Sequence, residues 1–337
     1  MENASNNILF LNSCKPGLLS SIIVTYNSEK YMYEAIESVL KQDYPEIELI
    51  ISDDGSRIFD EQSIRNYIDK HKGNNLVNTI IIHREKNIGT VRNINFALQR
   101  VSGEFIKILG GDDIYPDSEV FSKQVKLIRE TDALAVVGKA QQCNEVMEPI
   151  YDARVERSNN GLAVVLAMDY KSARKYISKN DIFPIAIQAV CYKRSFFEKN
   201  GFCDEDYMLI DDAPSALMIL KEGKKVAYMD SYTVNHRAKV GISSSRELFA
   251  ARRILYYKDC VTFAKKEIDA YPDIYSYVYR KGNVRINEFV YKAAKIKADK
   301  KGIAHIGLLG IQYLDAIIYY IISNPKKFFI RIRDRLS

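Results

Sequence analysis

Short apolar runs alternate with longer segments of helical period through the first 130 residues. Runs rich in isoleucine, leucine and valine have the length of buried parallel strands, and they lie at 19–25, 47–52, 77–83 and 105–109. Between them, apolar residues recur every three or four positions, which predicts helices at 29–42, about 60–71 and about 90–101. This alternation predicts an α/β fold with right-handed βαβ units on a mostly parallel sheet flanked by helices.

The second half has a less regular pattern. Further strands are predicted at 133–138, 184–192 and 226–234, with a short helix at 194–199. From about Ser244 onward, long helical patterns rich in Lys, Arg and Tyr replace the alternation. We therefore expect a lead-in at 1–18, an α/β domain at 19–243 and a helical C-terminal extension at 244–337. The α/β domain is expected to have two halves, at 19–130 and 131–243.

The helical extension contains one long apolar stretch, Lys301–Ser323. It is long enough to span a bilayer, but Asp315 in its middle would be costly there, so burial against neighbouring helices is the simpler interpretation. After Pro325, residues 326–335 mix basic side chains with Phe and Ile, which suits a helix on an anionic membrane surface. The alternative is an amphipathic helix that docks on its own domain or on a second copy.

Polar clusters stand at four successive predicted strand ends. They are Thr25–Tyr26–Asn27, Asp53–Asp54, residues 87–92 and Asp112–Asp113. In parallel sheets, ligands bind beyond the carboxyl ends of the strands. The pattern therefore predicts one ligand site built from all four ends.

The Asp112–Asp113 pair follows two glycines, which let a backbone turn sharply and approach a ligand. Adjacent carboxylates repel each other unless a cation lies between them. Mg²⁺ and Mn²⁺ prefer such oxygen ligands and are commonly shared with substrate phosphates. The alternative is a solvated turn, since Gly-Asp-Asp is ordinary loop composition.

Composition narrows the class of protein. The 337 residues are 47% apolar and 27% charged, which is ordinary for a globular chain. A net charge of +6 permits nucleotides, phosphates or acidic lipids as partners without requiring nucleic acid, and we predict none. Five scattered cysteines without Cys-x-x-Cys spacing argue against disulfides or zinc, and no signal-peptide pattern begins the chain, so a cytoplasmic location is expected.

Four motifs in order resemble family 2 glycosyltransferases of GT-A fold. The motifs are Ile-Ile-Val-Thr-Tyr-Asn (22–27), Ser-Asp-Asp-Gly-Ser (52–56), Asn-x-Gly-x-x-x-Asn (87–93) and Gly-Glu-Phe-Ile…Asp-Asp (103–113). Each is weak alone, but the ordered set with these separations is specific. The resemblance covers residues 20–130 closely and extends more loosely to about residue 245. It implies a nucleotide-sugar-binding half at 19–130 and an acceptor-binding half at 131–243.

The resemblance implies a nucleotide-sugar site formed by Thr25, Tyr26, Asn27, Asp53, Asp54, Arg92 and Asp112. Tyr26 would lie against the base, the Asp53–Asp54 pair would bind it (uracil in most relatives), and Arg92 would lie near the diphosphate. Each has a plainer alternative: a core-edge aromatic residue for Tyr26, an Asx-type turn for the acids and a solvated helix residue for Arg92.

The resemblance also implies a metal site for Mn²⁺ or Mg²⁺ at Asp112 and Asp113. Many relatives have a further Asp where this chain has Gly110. The ion would then have fewer protein ligands and rely on diphosphate and water. His236 lies in a segment similar to a His-containing one of the family and could join the metal or touch the diphosphate, although a lone His is more often packed or solvated. Arg237 and Lys239 would suit a phosphate pocket or a basic surface.

A second acidic pair, Asp211–Asp212, precedes a predicted helix with Pro214 in its first turn. By resemblance, Asp212 is the general base and Asp211 takes the place of a glutamate in relatives. The alternative is helix capping, because acids before a helix are favoured by its dipole.

Together these features predict an inverting, metal-dependent glycosyltransferase. It would move a sugar from a nucleotide sugar, expected to be UDP-linked, to a glycan or lipid-linked oligosaccharide of a bacterial surface polysaccharide. The loops required by a nucleotidyltransferase or a dehydrogenase are absent after the first strand. A non-catalytic scaffold subunit stays open because of Gly110 and Asp211, and so does a homo-oligomer.

Overall fold

The computed structural model describes residues 10–180, 182, 185–238, 250–299 and 303–323. Their centre is a seven-stranded sheet in the order β3-β2-β1-β4-β6-β5-β7, with strands β1 Lys15–Thr25, β2 Ile47–Asp53, β3 Leu76–His83, β4 Gly103–Gly110, β5 Ala135–Cys143, β6 Val190–Lys193 and β7 Val226–Arg237. Only β6 runs antiparallel to its neighbours, β4 and β5. The predicted mostly parallel α/β fold is confirmed.

Twelve α-helices surround and extend this sheet. They are α1 Met32–Leu40, α2 Glu61–His71, α3 Thr90–Leu98, α4 Val120–Thr131, α5 Ala153–Leu166, α6 Tyr170–Asn180, α7 Arg194–Asn200, α8 Asp212–Lys221, α9 Ala250–Phe263, α10 Tyr277–Ala298, α11 Ile303–Gln312 and α12 Leu314–Ser323, all within the described ranges. Short 3₁₀ segments lie at Ile187–Ala189 and Gly223–Lys225, and a π-helical segment lies at Ala264–Asp269.

The strands are apolar on both faces because helices cover both sides of the sheet. Side chains alternate along a strand, so Leu19 and Ile23 of β1 pack with α1, α2 and α4, while Ile22 packs with α3, α5 and α8. The same division separates Phe105 from Ile106 in β4. This two-sided burial explains the continuous apolar runs in the sequence.

Parallel pairing brings the carboxyl ends of three strands to one edge. Thr25 of β1 lies opposite Asp53 of β2, and Val24 lies opposite Gly110 of β4. A bridge between Ile114 and Asn235, with N···O distances of 3.1 and 2.8 Å, brings the end of β7 to the same edge. The sheet therefore gathers the acidic segments that the sequence separates.

Two predicted elements differ from the structure. The expected strand at 184–192 is wrong over most of its length: Ile187–Ala189 is 3₁₀-helical, and only Val190–Lys193 is a strand. The apolar run reflects burial of Ile187 and Ala189 in the core rather than sheet pairing, and periodicity cannot separate the two in so short a run. The stretch expected at 301–323 forms two helices that meet at Tyr313.

The second of these helices, α12, packs on α10. Leu309, Tyr313 and Ala316 are buried against Phe289 and Ala293 of α10, and Asp315 forms an ion pair of 2.6 Å with Arg285. This packing agrees with the interpretation that the stretch is held against neighbouring helices. In the part of the chain that the structure describes, every helix is too short or too polar to cross a bilayer. Lys239 and the basic tail at 326–335 lie outside the described residues.

Candidate active site

A cleft of about 600 Å³ opens at the carboxyl edge of the sheet. Strand ends form one wall, and α6, α9 and α10 form the other. Residues from both walls line it, including Thr25, Tyr26, Asp54, Asn93, Gly110, Asp112, Asp113, Arg174, Gln188, Asp211, Asp212, His236, Arg252, Tyr256, Asn283 and Asn287. The structure thus brings most of the predicted site residues to one cavity.

Asp112 and Asp113 stand side by side just after β4. Asp113 is buried and accepts a hydrogen bond from the backbone N–H of Arg237 at 2.9 Å, while Asp112 is half-buried. Burial and the neighbouring Asp113 carboxylate raise the pKa of Asp112 to about 6. Repulsion within the pair therefore favours a cation beside it.

His236 supplies one such cation. Its Nδ1 lies 3.1 Å from a carboxylate oxygen of Asp113, and that charge, opposed in part by burial, raises the pKa of His236 to about 9. The imidazole is therefore protonated near neutral pH in this arrangement. A protonated imidazole binds anions such as a diphosphate, and a role of His236 as a metal ligand stays a prediction.

Arg237 is buried beneath the acidic pair and does not form the phosphate pocket or basic surface that the sequence suggested. Its Nε donates to the carbonyl of Asp112 at 2.9 Å, and another nitrogen pairs with Glu34 at 2.8 Å. Its guanidinium also lies 4.2 Å from the centre of the Tyr31 ring. The residue fixes the backbone of the acidic turn from below.

The carboxylates of Asp112 and Asp113 suit a divalent cation only if bound phosphate or water supplies the remaining oxygen ligands. Among the described residues, no three His, Cys, Asp or Glu side chains are placed to hold a metal ion. A Cβ on Gly110 would lie 2.9 Å from an oxygen of Asp112 and 3.2 Å from one of Asp113, so a third side chain fits only if the pair shifts. Two repelling carboxylates facing a cleft fit Mg²⁺ or Mn²⁺ that keeps water or phosphate ligands.

The carboxylates of Asp53 and Asp54 accept hydrogen bonds from the backbone of two neighbouring loops. Asp53 is fully buried and accepts from the N–H groups of Gly55 and Ser56 at 3.0 and 2.8 Å and from His83 at 2.8 Å. These are the contacts of the Asx-type turn that was the alternative for this pair, and a base-binding role for Asp53 stays a prediction. Asp53 is not among the residues that line the cleft.

Asp54 does line the cleft, but both its oxygens are engaged. They accept from the backbone N–H groups of Ile88 and Gly89, each at 2.9 Å. Burial raises the pKa of its carboxyl. Gly89, at φ +94°, is also required here because an added Cβ would lie 2.6 Å from Met208. Asp54 thus fixes the loop that opens α3.

Tyr26 and Asn27 end β1 with different exposures. Tyr26 lines the cleft, whereas Asn27 is exposed, has φ +52° and accepts from the N–H of Arg57 at 3.1 Å. Arg92 lies outside the cleft: its side chain is 57% exposed and lies 3.5 Å from Glu205. These contacts are those of the solvated helix residue that was the alternative for Arg92.

Arg252 of α9 places a cation inside the cleft. Its guanidinium lies 4.7 Å from the centre of the Tyr26 ring. Burial lowers the pKa of Arg252, while Tyr26 and Asp54 act in the opposite direction. Within the described residues no carboxylate forms an ion pair with it, so its charge faces the cavity.

Asp211 and Asp212 face the cleft at the start of α8. The capping alternative is not what the geometry shows, because the Asp211 side chain makes no cap hydrogen bond. Asp212 accepts only a long contact of 3.5 Å from the N–H of Ile187. Desolvation within the cleft raises the pKa of both carboxyls, and the Asp212 charge adds to the effect on Asp211.

Electrostatics link this pair to the first acidic site. His236 and Asp113 both influence the pKa of Asp212, His236 lowering it and Asp113 raising it. Such an influence requires proximity within the cleft. The two acidic pairs therefore share one cavity.

A carboxylate from α9 holds the segment before Asp211. Asp259 is buried, and its Oδ2 accepts from the consecutive N–H groups of Met208, Leu209 and Ile210 at 2.9, 2.6 and 3.1 Å. Three charge-assisted hydrogen bonds to one oxygen fix this backbone strongly. The helical region after residue 250 thus positions an acidic pair of the α/β domain.

Comparison with known proteins identifies the family. Residues 20–201 match the family described as Glycosyl transferase family 2. The chain belongs to glycosyltransferase family 2. The resemblance noted in the sequence is confirmed.

Curated relatives match the N-terminal part of the chain. A glycosyltransferase, GlyG, of Streptococcus pneumoniae is 30% identical over 128 residues, 38% of this chain and 40% of its own. An uncharacterized glycosyltransferase of Rickettsia typhi is 32% identical over 120 residues, 36% of this chain and 35% of its own. The match thus spans less than half the length of these relatives. The minor teichoic acid biosynthesis protein GgaB of Bacillus subtilis is 24% identical over 256 residues, 74% of this chain and 26% of its own.

Solved glycosyltransferase structures share the fold. TarS of S. aureus (residues 1–349) aligns with a TM-score of 0.53 at 17% identity, covering 90% of this chain and 88% of that one. The mannosyltransferase PcManGT from Pyrobaculum calidifontis, in complex with GDP-Man and Mn²⁺, aligns with a TM-score of 0.53 at 17% identity, covering 93% and 84%. At this identity the likeness shows the GT-A fold alone.

For this family 2 member, the sequence missed the wall that α6, α9 and α10 contribute. Its polar side chains include Arg174, Arg252, Tyr256, Asn283 and Asn287. The available signals were the Lys- and Tyr-rich stretch at 170–180 and the Lys-, Arg- and Tyr-rich composition after residue 244. Composition identifies helices but cannot tell which helix face meets the sheet.

Proposed function

We propose that this chain transfers a sugar from a nucleotide sugar to a hydroxyl group of a surface glycan or its lipid-linked precursor. We expect the donor to be UDP-linked and the transfer to invert the anomeric carbon. The observation that carries the proposal is the shared cleft, which both Asp112–Asp113 and Asp211–Asp212 line. Separate acid sites provide separate places for the diphosphate and for proton transfer.

Asp212 is the proposed general base. Its carboxylate lies free in the cleft with a raised pKa, which makes it a stronger proton acceptor than an ordinary aspartate. It would take the proton of the acceptor hydroxyl as that oxygen attacks the anomeric carbon. The bond from that carbon to the diphosphate breaks on the opposite side, and the nucleoside diphosphate leaves with the electron pair.

Positive charge in the cleft would stabilise the leaving group. The guanidinium of Arg252 provides this charge from the chain itself, and His236 beside Asp113 offers a ring nitrogen to the diphosphate or to the metal. Asp112 and Asp113 would hold Mn²⁺ or Mg²⁺, which supplies further neutralisation of the diphosphate when bound. Tyr26, beneath Arg252, offers an aromatic face to the base.

Similar proteins support a nucleotide sugar as the donor and a cell-surface polymer as the acceptor. TarS forms complexes with UDP and with UDP-GlcNAc, and PcManGT binds GDP-Man with Mn²⁺. GgaB acts in minor teichoic acid biosynthesis. We therefore expect a uridine nucleotide sugar first and a cell-surface polymer as the destination.

The test is a panel of UDP-, GDP- and dTDP-sugars, titrated calorimetrically with Mn²⁺, Mg²⁺ or EDTA and assayed for hydrolysis. One donor should bind and be slowly hydrolysed with metal, and NMR should show the opposite anomer in the first sugar released. Asp112→Asn should weaken metal-dependent binding at least about tenfold. If no nucleotide sugar binds with or without metal, the transferase proposal is wrong and a scaffold role replaces it.

A further inference from the structure

The last two described helices present an apolar surface that no described residue covers. Leu308, Ile311, Leu314, Ile318 and Ile322, here called the apolar ridge, are each more than half exposed. Within each helix, spacing of three or four residues places them on one side, Leu308 and Ile311 on α11 and Leu314, Ile318 and Ile322 on α12. Five large exposed aliphatic side chains in one row exceed what scattered surface residues show and mark an interaction site.

The opposite side of these helices is already packed. Leu309, Tyr313 and Ala316 are buried against α10, so turning the ridge inward would expose that cluster. A second face of α10 carries Asn283 and Asn287, which line the cleft. The ridge and the cleft therefore flank the same helix, about 20 Å apart at a helix diameter near 10 Å.

Charge indicates what the ridge contacts. The sequence continues directly into Lys326, Lys327, Arg331, Arg333 and Arg335, with Phe328, Phe329, Ile330 and Ile332 between them and Asp334 as the single acid of 324–337. The acid beside the ridge, Asp315, is neutralised by Arg285 at 2.6 Å. An exposed apolar surface followed in the sequence by clustered cations has the composition of segments that bind the interface of an anionic bilayer.

We propose that the apolar ridge docks this protein on an anionic membrane, with Leu308, Ile311 and Ile318 entering the headgroup boundary. The helices would lie on the bilayer without crossing it, in keeping with their length. The cleft would then open within about two helix diameters of the lipid surface. This inference goes beyond the proposed transferase activity and does not depend on it.

The test is co-sedimentation of the full chain with vesicles of phosphatidylcholine alone or mixed with phosphatidylglycerol, at low and high salt. Wild type should bind only the mixed vesicles and less at high salt. The variant Leu308→Ser/Ile311→Ser/Ile318→Ser should bind at least about tenfold more weakly. A matched control, Leu11→Ser/Val77→Ser/Val146→Ser, removes three similarly exposed apolar side chains elsewhere and should bind as wild type.

A tail variant, Lys326→Gln/Lys327→Gln/Arg331→Gln/Arg333→Gln, separates charge from apolar contact and should lose the preference for anionic vesicles. Thermal unfolding should be unchanged in the ridge and control variants, since the replaced side chains are exposed. The proposal is overturned if wild type ignores anionic vesicles, or if the ridge variant binds them as well as wild type does. It is also overturned if light scattering shows that the ridge variant converts a dimer to a monomer while vesicle binding persists, because the ridge would then be a self-association surface.

Discussion

The Asp53–Asp54 and Asp211–Asp212 pairs have the same two side chains in different surroundings. All four oxygens of the first pair accept hydrogen bonds from nearby loops, including the N–H groups of Gly55, Ser56, Ile88 and Gly89. The second pair receives, from described residues outside its own turn, only a 3.5 Å contact from Ile187. Its segment is held instead by Asp259 from a different helix.

This difference separates acids that shape the backbone from acids that are free for chemistry. Carboxylates whose oxygens are all engaged stabilise loops and have little capacity left for a substrate. Carboxylates that line a cleft, have few hydrogen-bond partners and have raised pKa values are candidates for proton transfer. The comparison therefore predicts where substitution should affect turnover and where it should affect folding.

The largest effect is expected from Asp212→Asn. The amide keeps the shape of the side chain but cannot accept the proton, so kcat should fall by about 10²–10⁴-fold. Calorimetry should show nucleotide-sugar affinity close to that of wild type. If kcat is unchanged once a donor and acceptor are known, Asp212 is not the base.

Asp53→Ala should mainly destabilise the fold. It leaves the N–H groups of Gly55 and Ser56 without their partner, which should lower the free energy of unfolding by about 3 kcal/mol. Urea denaturation followed by circular dichroism measures this loss. A variant that unfolds like wild type but no longer binds nucleotide would instead favour the base-binding role.

Asp259→Asn should lower both kcat and the free energy of unfolding, each by less than the two substitutions above. One amide oxygen can still accept, but the charge is lost from three hydrogen bonds, so we expect a loss of stability of about 2 kcal/mol. At temperatures where the variant is folded, kcat should fall several-fold with little change in KM for the donor, because the proposed donor site is formed by other segments. Equal kcat values at those temperatures would limit Asp259 to a purely structural role.

Arginine substitutions extend the comparison to cations. Arg252→Gln should weaken nucleotide-sugar binding about tenfold, because it removes a partly desolvated charge from the cleft. Arg92→Gln is the matched control and should change affinity less than about twofold, since its side chain is 57% exposed and lies near Glu205. The reverse order of effects would restore the sequence-based assignment of Arg92 to the diphosphate.

The smallest effect is expected from Asp211→Asn. Burial and the Asp212 charge raise the pKa of Asp211 in the folded state, so the folded protein favours its protonated form. The stability of wild type relative to the variant should therefore be greatest below the ordinary aspartate pKa near 4 and fall as pH rises. Thermal melts from pH 4 to pH 8 should show the variant gaining stability relative to wild type as the pH rises. A constant difference across this range would mean that Asp211 is not desolvated.

Much of the fold could be predicted from the sequence because its signals are local. Apolar runs such as Ile47–Ser52 and helical periods each depend on a few neighbouring residues, and alternation of strand and helix leads directly to a parallel sheet. The acidic pairs Asp112–Asp113 and Asp211–Asp212 were identified for the same reason, since each lies at the end of a recognisable segment. The strand predicted at 184–192 was wrong over most of its length because Ile187 and Ala189 are buried without pairing in the sheet.

The sequence by itself determined the α/β alternation, the family and the placement of acids at strand ends, because side-chain periodicity and parallel pairing follow from local chain geometry. Tertiary structure alone decided which acids are free. Asp53 is buried in its turn, Arg92 does not line the cleft, Arg252 lines it from α9, and Asp259 of the same helix holds the backbone before Asp211. The face that a helix presents depends on contacts with residues far away along the chain, from 49 positions for Asp259 and Ile210 to more than 200 for Arg252 and Tyr26, and no short pattern encodes that docking.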